Sequence, residues 1–209
     1  MRLLLCCMIA VSTMAAQEAK PSDDQLFGVR PGEKLYNFGV TVISSSGFRG
    51  DIYRLKPTTK ELPNFKRLKP LGSIYTTAIN VPPRSFDAGF PGVTDIFEWF
   101  GIDYHARFWI ETPGQYRFAL GSDDGANLYI DGKLVIDNNG IHGPKIETGG
   151  VKLKRGIHRV RVAYFQGPRT QVALVLAVTR PGDNNQWRVF NTDEFRPANP
   201  DEWPQEKTK

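Results

Sequence analysis

Two adjacent carboxylates, Asp123 and Asp124, sit in the stretch Gly121 to Gly140, GSDDGANLYIDGKLVIDNNG. Neighbouring acids repel one another, and the oxygen-rich loops around this pair are the best candidate for chemistry. Further oxygen donors lie near in sequence: Asp137 and Asn139 follow within the same stretch, and Gln166-Gly167 comes after Tyr164-Phe165. Successive residues of an extended strand point to opposite faces, so an ordinary strand does not bring the two carboxylates to one place. Asp137 and Asn139 also suit a plainer role as turn formers. The three histidines, His105, His142 and His158, have no zinc-like spacing, although His142 falls in a loop close to the acidic pair. Asp123-Asp124-Gly125 lacks the alternating acids and closing glutamate of an EF-hand loop. No nucleophile elbow, glycine-rich phosphate loop or catalytic cysteine is present, and no carboxylate pair is marked out for glycoside hydrolysis.

The elements that must hold these groups read as short strands. Gln115 to Leu120 leads into the acidic pair, and Leu128 and Ile130 then alternate with Asn127 and Tyr129. Asp131-Gly132 tolerates the positive φ angles of a tight hairpin, and Lys133 to Ile136 returns as its second strand. A loop is expected over Ile141 to Gly150, then a strand over Val151 to Lys154. Ile157 to Phe165 places Val160, Val162 and Tyr164 on one face, Arg159 and Arg161 on the other. Gln171 to Thr179 is the final apolar strand. Upstream, strands are expected over Leu35 to Ile43, Phe48 to Leu55 and Ser73 to Val81, the last ended by Pro82-Pro83. The aromatic run Phe97 to Ile110 reads as core. Trp187, Phe190, Phe195 and Trp203 imply that parts of the tail fold back on the domain. Many turns and no 3.6-residue periodicity predict an all-β fold, an antiparallel β-sandwich or β-barrel.

At 209 residues the chain suits one domain with extensions. Arg2, the apolar run Leu3 to Val11 and the small residues Ser12 to Ala16 have the pattern of a cleaved export signal over residues 1–16. Both cysteines, Cys6 and Cys7, fall within it, which leaves a mature chain without thiol chemistry and points to a secreted or periplasmic protein. Residues 17–47 form an N-terminal extension, 48–180 the β domain and 181–209 a C-terminal tail. No transmembrane segment follows the leader. The net charge of +5, or +4 without Arg2, includes lysines that alternate with apolar residues from Val151 to Lys154. That pattern belongs to the solvent face of a strand, and no nucleic-acid-binding module accompanies it.

The motifs Gly114-Gln115-Tyr116-Arg117-Phe118, Ser122-Asp123-Asp124-Gly125, Leu128-Tyr129-Ile130-Asp131-Gly132, Asp137-Asn138 and Tyr164-Phe165-Gln166-Gly167 together resemble the protective-antigen fourteen (PA-14) domain family. The resemblance is firm from Asp95 to Val178 and reaches back loosely to Phe48–Tyr53. It implies a β-sandwich or barrel module of the kind found in toxins, glycosidases, adhesins and flocculins. In adhesin members the two aspartates are joined by a cis peptide and hold calcium, which binds vicinal sugar hydroxyls. By that resemblance, the metal ligands here are Asp123, Asp124, Asn139 and Gln166, with Asp137, His142 and Gly167 lining the ligand site. Many members carry an aromatic where this chain has Asn139. The implied function is a non-catalytic, calcium-dependent, lectin-like module for a glycan or glycoconjugate. The alternative is a structural or protein-interaction module serving other extracytoplasmic proteins, without a metal or sugar site.

Overall fold

A computed structural model describes residues 20–22, 47–93, 96–169 and 171–203. The expected leader and the expected strand over Leu35 to Ile43 lie outside the described residues. Among the described residues eleven strands run β1 (Phe48–Arg54), β2 (Gly72–Thr76), β3 (Asn80–Ser85), β4 (Phe100–Ile110), β5 (Gly114–Asp123), β6 (Ala126–Ile130), β7 (Lys133–Asn138), β8 (Lys145–Leu153), β9 (Gly156–Gln166), β10 (Gln171–Thr179) and β11 (Arg188–Val189). They form two antiparallel sheets, one ordered β2-β1-β4-β9-β6-β7 and the other β11-β10-β5-β8, with β3 also paired to β10. The fold is all-β, as the strand and turn pattern requires.

Alternation along each strand builds the core between the sheets. Val160, Val162 and Tyr164 of β9 turn inward to meet Phe118 and Leu120 of β5 and Leu174 and Leu176 of β10. Arg159 and Arg161 point the other way, as period two demands. Farther along that outer face, Ala163 and Phe165 are covered by Leu62, Phe65 and Leu68 from the proline-punctuated segment after β1. The tail completes the core. Phe190 is fully buried and lies within 6.0 Å of the rings of Phe48, Phe108, Phe118 and Phe195.

Four expectations change. The stretch Ser73 to Val81 is two strands in different sheets, because the chain turns at Thr76–Ala78, where Thr76 Oγ1 donates to Ala78 O at 2.7 Å. Pro82-Pro83 does not end the second strand but lies inside β3, whose pairing to β10 spares some of its amides from a ladder. The glycine pair Gly149-Gly150, read as loop, lies within β8, which begins at Lys145. A Cβ at Gly149 would fall 2.2 Å from Val135 O, so glycine serves close approach of β7 rather than a bend. Among the aromatics of Phe97 to Ile110, Phe100, Tyr104, Phe108 and Trp109 are buried, but Phe97 is 47% exposed beside Phe86.

Phe190→Ala tests whether the tail is part of the cooperative unit. The loss of a fully buried ring should cost about 3–5 kcal/mol, read as a lower urea midpoint at unchanged slope. An unaltered midpoint would place the tail outside that unit.

Candidate functional site

The acidic pair occupies the point where the chain changes sheets. β5 ends at Asp123, still paired with Ala173 of β10 in one sheet, and β6 starts at Ala126 in the other. Asp124 and Gly125 make the crossing. Gly125 cannot be replaced without movement: a Cβ there would meet the Phe165 ring at 2.4 Å and the Gly140 backbone at 2.8 Å. Its carbonyl accepts the Phe165 amide at 2.9 Å, which fixes the corner onto β9. The Asp123–Asp124 peptide bond is cis. The β6–β7 hairpin then turns at Asp131 and Gly132, both with positive φ (50° and 79°), as the Asp-Gly signal anticipates.

Both carboxylates are buried, Asp123 at 4% and Asp124 at 3% exposure. Asp124 is enclosed by donors: the amides of His142 (3.1 Å) and Gly167 (2.7 Å), and Gln166 Nε2 at 3.3 Å. Asp123 is less well served, for its Oδ2 is buried with no hydrogen-bond partner among the described residues. Its main-chain carbonyl accepts from the Tyr164 hydroxyl at 2.7 Å. Tyr164, fully buried, is clamped between Phe90 (stacked at 5.3 Å) and the edge of Phe100. Burial pushes the Asp123 carboxyl up from 3.8 to about 7, the Asp124 charge adds to this, and His142 opposes it. Burial also raises Asp124, against the Gly167 and His142 amides that favour its ionised form.

Asp123, Asp124, Gln166, Gly167 and His142 therefore come together. Gln166 is fully buried, with its oxygen 2.6 Å from the Tyr164 hydroxyl and its amide nitrogen also donating to Gln171 O at 3.1 Å. The His142 ring folds back, Nδ1 2.8 Å from Gly143 O and Nε2 3.0 Å from Asn138 O. Asn139 and Asp137 take other partners. Asn139 Oδ1 accepts the Leu62 amide at 2.8 Å and the Gly140 amide at 2.9 Å, which ties the segment after β1 to this corner. Asp137 is exposed and caps the Asn139 amide at 3.1 Å, a turn-former's bond.

The residue that the sequence reading left out of the site is Asn138. It is 1% exposed, and its amide nitrogen donates to Ser122 Oγ (2.9 Å) and Lys145 O (3.0 Å). Its Oδ1 is the second buried oxygen of this corner without a partner. The Asp137-Asn138 motif carried this information, but motif order alone does not say which of several amides faces inward. Among the described residues no three His, Cys, Asp or Glu side chains cluster as a metal site. An ion here would need amide or main-chain oxygens beside the two carboxylates, a donor set that suits calcium and not zinc.

The sequence profile of the PA14 domain matches residues 64–186. No curated protein sequence matches the chain. Among solved structures, an anti-sigma factor domain-containing protein is 17% identical with a TM-score of 0.57; the match covers 78% of this chain and 51% of that one, so this chain spans about half its length. The PA14 sugar-binding domain from an RTX adhesin is 18% identical (TM-score 0.55; 71% of this chain, 96% of that one). The epithelial adhesin 9 A domain from Candida glabrata, solved with Galb1-3GlcNAc, is 13% identical (TM-score 0.51; 77% and 93%).

An acid whose pKa is higher folded than unfolded binds more protons when folded, so its contribution to stability falls as pH rises through that window. For Asp123 in chelator the window runs from 3.8 to about 7. The stability of Asp123→Asn relative to wild type should therefore increase with pH across that range in urea titrations. A constant difference would show that this carboxylate does not titrate with folding.

Proposed function

The chain belongs to the PA14 domain family, and from that premise we propose that it is a non-catalytic carbohydrate-binding module, exported from the cytoplasm, whose sugar site is the calcium-dependent corner at Asp123 and Asp124. The observation that carries this reading is the pair of buried, partnerless oxygens, Asp123 Oδ2 and Asn138 Oδ1. A buried carboxylate next to another is costly unless a positive charge compensates it. No Lys or Arg side chain forms an ion pair with either aspartate among the described residues.

Asp123 and Asp124 would hold the ion, with Asn138 Oδ1 the next available oxygen. Bound calcium supplies a positive charge with coordination positions open to sugar hydroxyls. Asp124 is oriented by the His142 and Gly167 amides, so both neighbouring loops are anchored to the same carboxylate. Tyr164 fixes the Asp123 carbonyl from below. Ile141, 45% exposed, precedes the His142 whose amide Asp124 accepts, and offers an apolar surface of the kind against which a sugar ring packs. The names of the adhesin domains, one called sugar-binding and one solved with Galb1-3GlcNAc, support a glycan ligand. The leader pattern of residues 1–16 supports export.

Calorimetric titration of calcium into chelator-treated protein tests the site. Wild type should take up calcium, Asp124→Asn should lose at least about tenfold in affinity, and sugar retention on a glycan array should vanish in chelator. A folded wild type that takes up no calcium would overturn the metal site and favour a protein-interaction module. Sugar binding that survives chelator would separate the lectin role from the metal.

A further inference from the structure

The outer face of the six-stranded sheet carries a second feature, remote in character from the acidic corner. A groove of about 1440 Å³ opens there, and its lining includes four fixed cations, Lys66, Arg107, Arg159 and Arg161, against two carboxylates, Asp103 and Asp131. The β4–β9 register sets Arg107 directly opposite Arg159 and His105 opposite Arg161. Like charges facing each other across a ladder destabilise the pair by themselves. Both carboxylates already have partners. Asp103 receives Arg161 Nε at 2.6 Å and lies 3.1 Å from His105 Nε2. Asp131 receives the Arg159 amide at 2.9 Å and lies 2.6 Å from His158 Nδ1.

The Arg159 guanidinium and the Lys66 ammonium are exposed and have no hydrogen-bond or ion-pair partner among the described residues. The groove is built and not accidental. Phe65 packs on Tyr53 at 5.0 Å, and Asn139 secures Leu62 in the groove wall. Arg161 is held between Asp103 and the Tyr129 ring, its guanidinium carbon 4.9 Å from the ring centroid.

We propose that this groove is a second binding site, for the carboxylate or sulfate groups of an acidic oligosaccharide, with Arg159 and Lys66 as the principal anion contacts. A guanidinium offers paired donors that match a carboxylate or sulfate edge. The groove volume exceeds the roughly 300–1,000 Å³ of a small-ligand pocket, which fits several linked units. Its cations line a groove and not a flat face, a shape that a linear chain follows more closely than a planar bilayer does. Of the rings in its lining, Phe65 is buried, His105 lies against Asp103 and Tyr129 is covered by Arg161, a poor set of faces for stacking successive bases. The choice of a saccharide over another polyanion rests on the carbohydrate-binding reading above. The cationic surface itself does not.

The test uses the mature chain in chelator, so that the acidic corner is silent, with polygalacturonate and dextran sulfate as probes and neutral dextran as the blank. One or both acidic polymers should bind, weakening steeply as salt rises, while neutral dextran does not. Lys66→Ala/Arg159→Ala should lose about tenfold or more. The double variant Arg84→Ala/Lys152→Ala removes the same charge from the other sheet and should stay within about twofold. Equal losses in the two variants would reduce the effect to net charge and overturn the site, as would failure of both acidic polymers to bind. Tighter binding of a single-stranded oligonucleotide than of either polymer would overturn the ligand class. Calcium uptake by the same preparation once the chelator is removed reports on the acidic corner separately, so failure there leaves the result for the groove standing.

Discussion

The crossing of the chain from one sheet to the other at Asp123–Gly125 is the constraint around which this molecule is arranged. A strand that leaves its sheet must satisfy the peptide groups it frees, and here that happens in the interior. Gly125 O is taken by the Phe165 amide and Asp123 O by the Tyr164 hydroxyl, both from β9. The carboxylates are thereby drawn inside, and two loops follow them, because Asp124 needs the amides of His142 and Gly167. A local change of direction thus dictates a buried acidic pair and the loops around it. The same corner accounts for the glycine at 125, where any side chain would collide with Phe165 and Gly140.

The corner also explains why Asn138 and Asn139, neighbours in sequence, have different fates. At the end of β7 the side chains alternate between faces. Asn138 turns inward to Ser122 and Lys145, leaving one oxygen unused. Asn139 turns to the segment after β1 and holds Leu62. Through that bond the acidic corner is mechanically continuous with the wall of the cationic groove. The two sites carry opposite charge, and each is fixed by residues that alternate along the same strand: Tyr164 of β9 serves the corner, Arg159 and Arg161 the groove.

The tail illustrates how a sandwich seals itself. Phe190 and Phe195 stack at 4.8 Å and fill the end of the core, while Trp187 covers the outer face of the five-stranded sheet beside Ala119, Val175 and Ala177. The β10–β11 pairing is only two residues long, so packing of aromatic rings and not the ladder holds this segment.

Strand alternation, the Asp-Gly hairpin and the inward face Val160-Val162-Tyr164 were legible in the sequence because they depend on neighbours within a few residues. The acidic pair was legible too, since adjacent carboxylates before a glycine are unusual enough to stand out, and their motif order resembled the PA-14 domain. What the sequence left open depended on distant partners. Ser73 to Val81 is uniformly β-prone, and only the competition of two sheets for its halves breaks it. Gly149-Gly150 signals a bend until β7 passes within touching distance. Asn138 and Asn139 are chemically identical, and the choice between them rests on which face of β7 meets Ser122. Arg107 and Arg159 lie far apart in sequence, so only the β4–β9 register could reveal that they oppose each other.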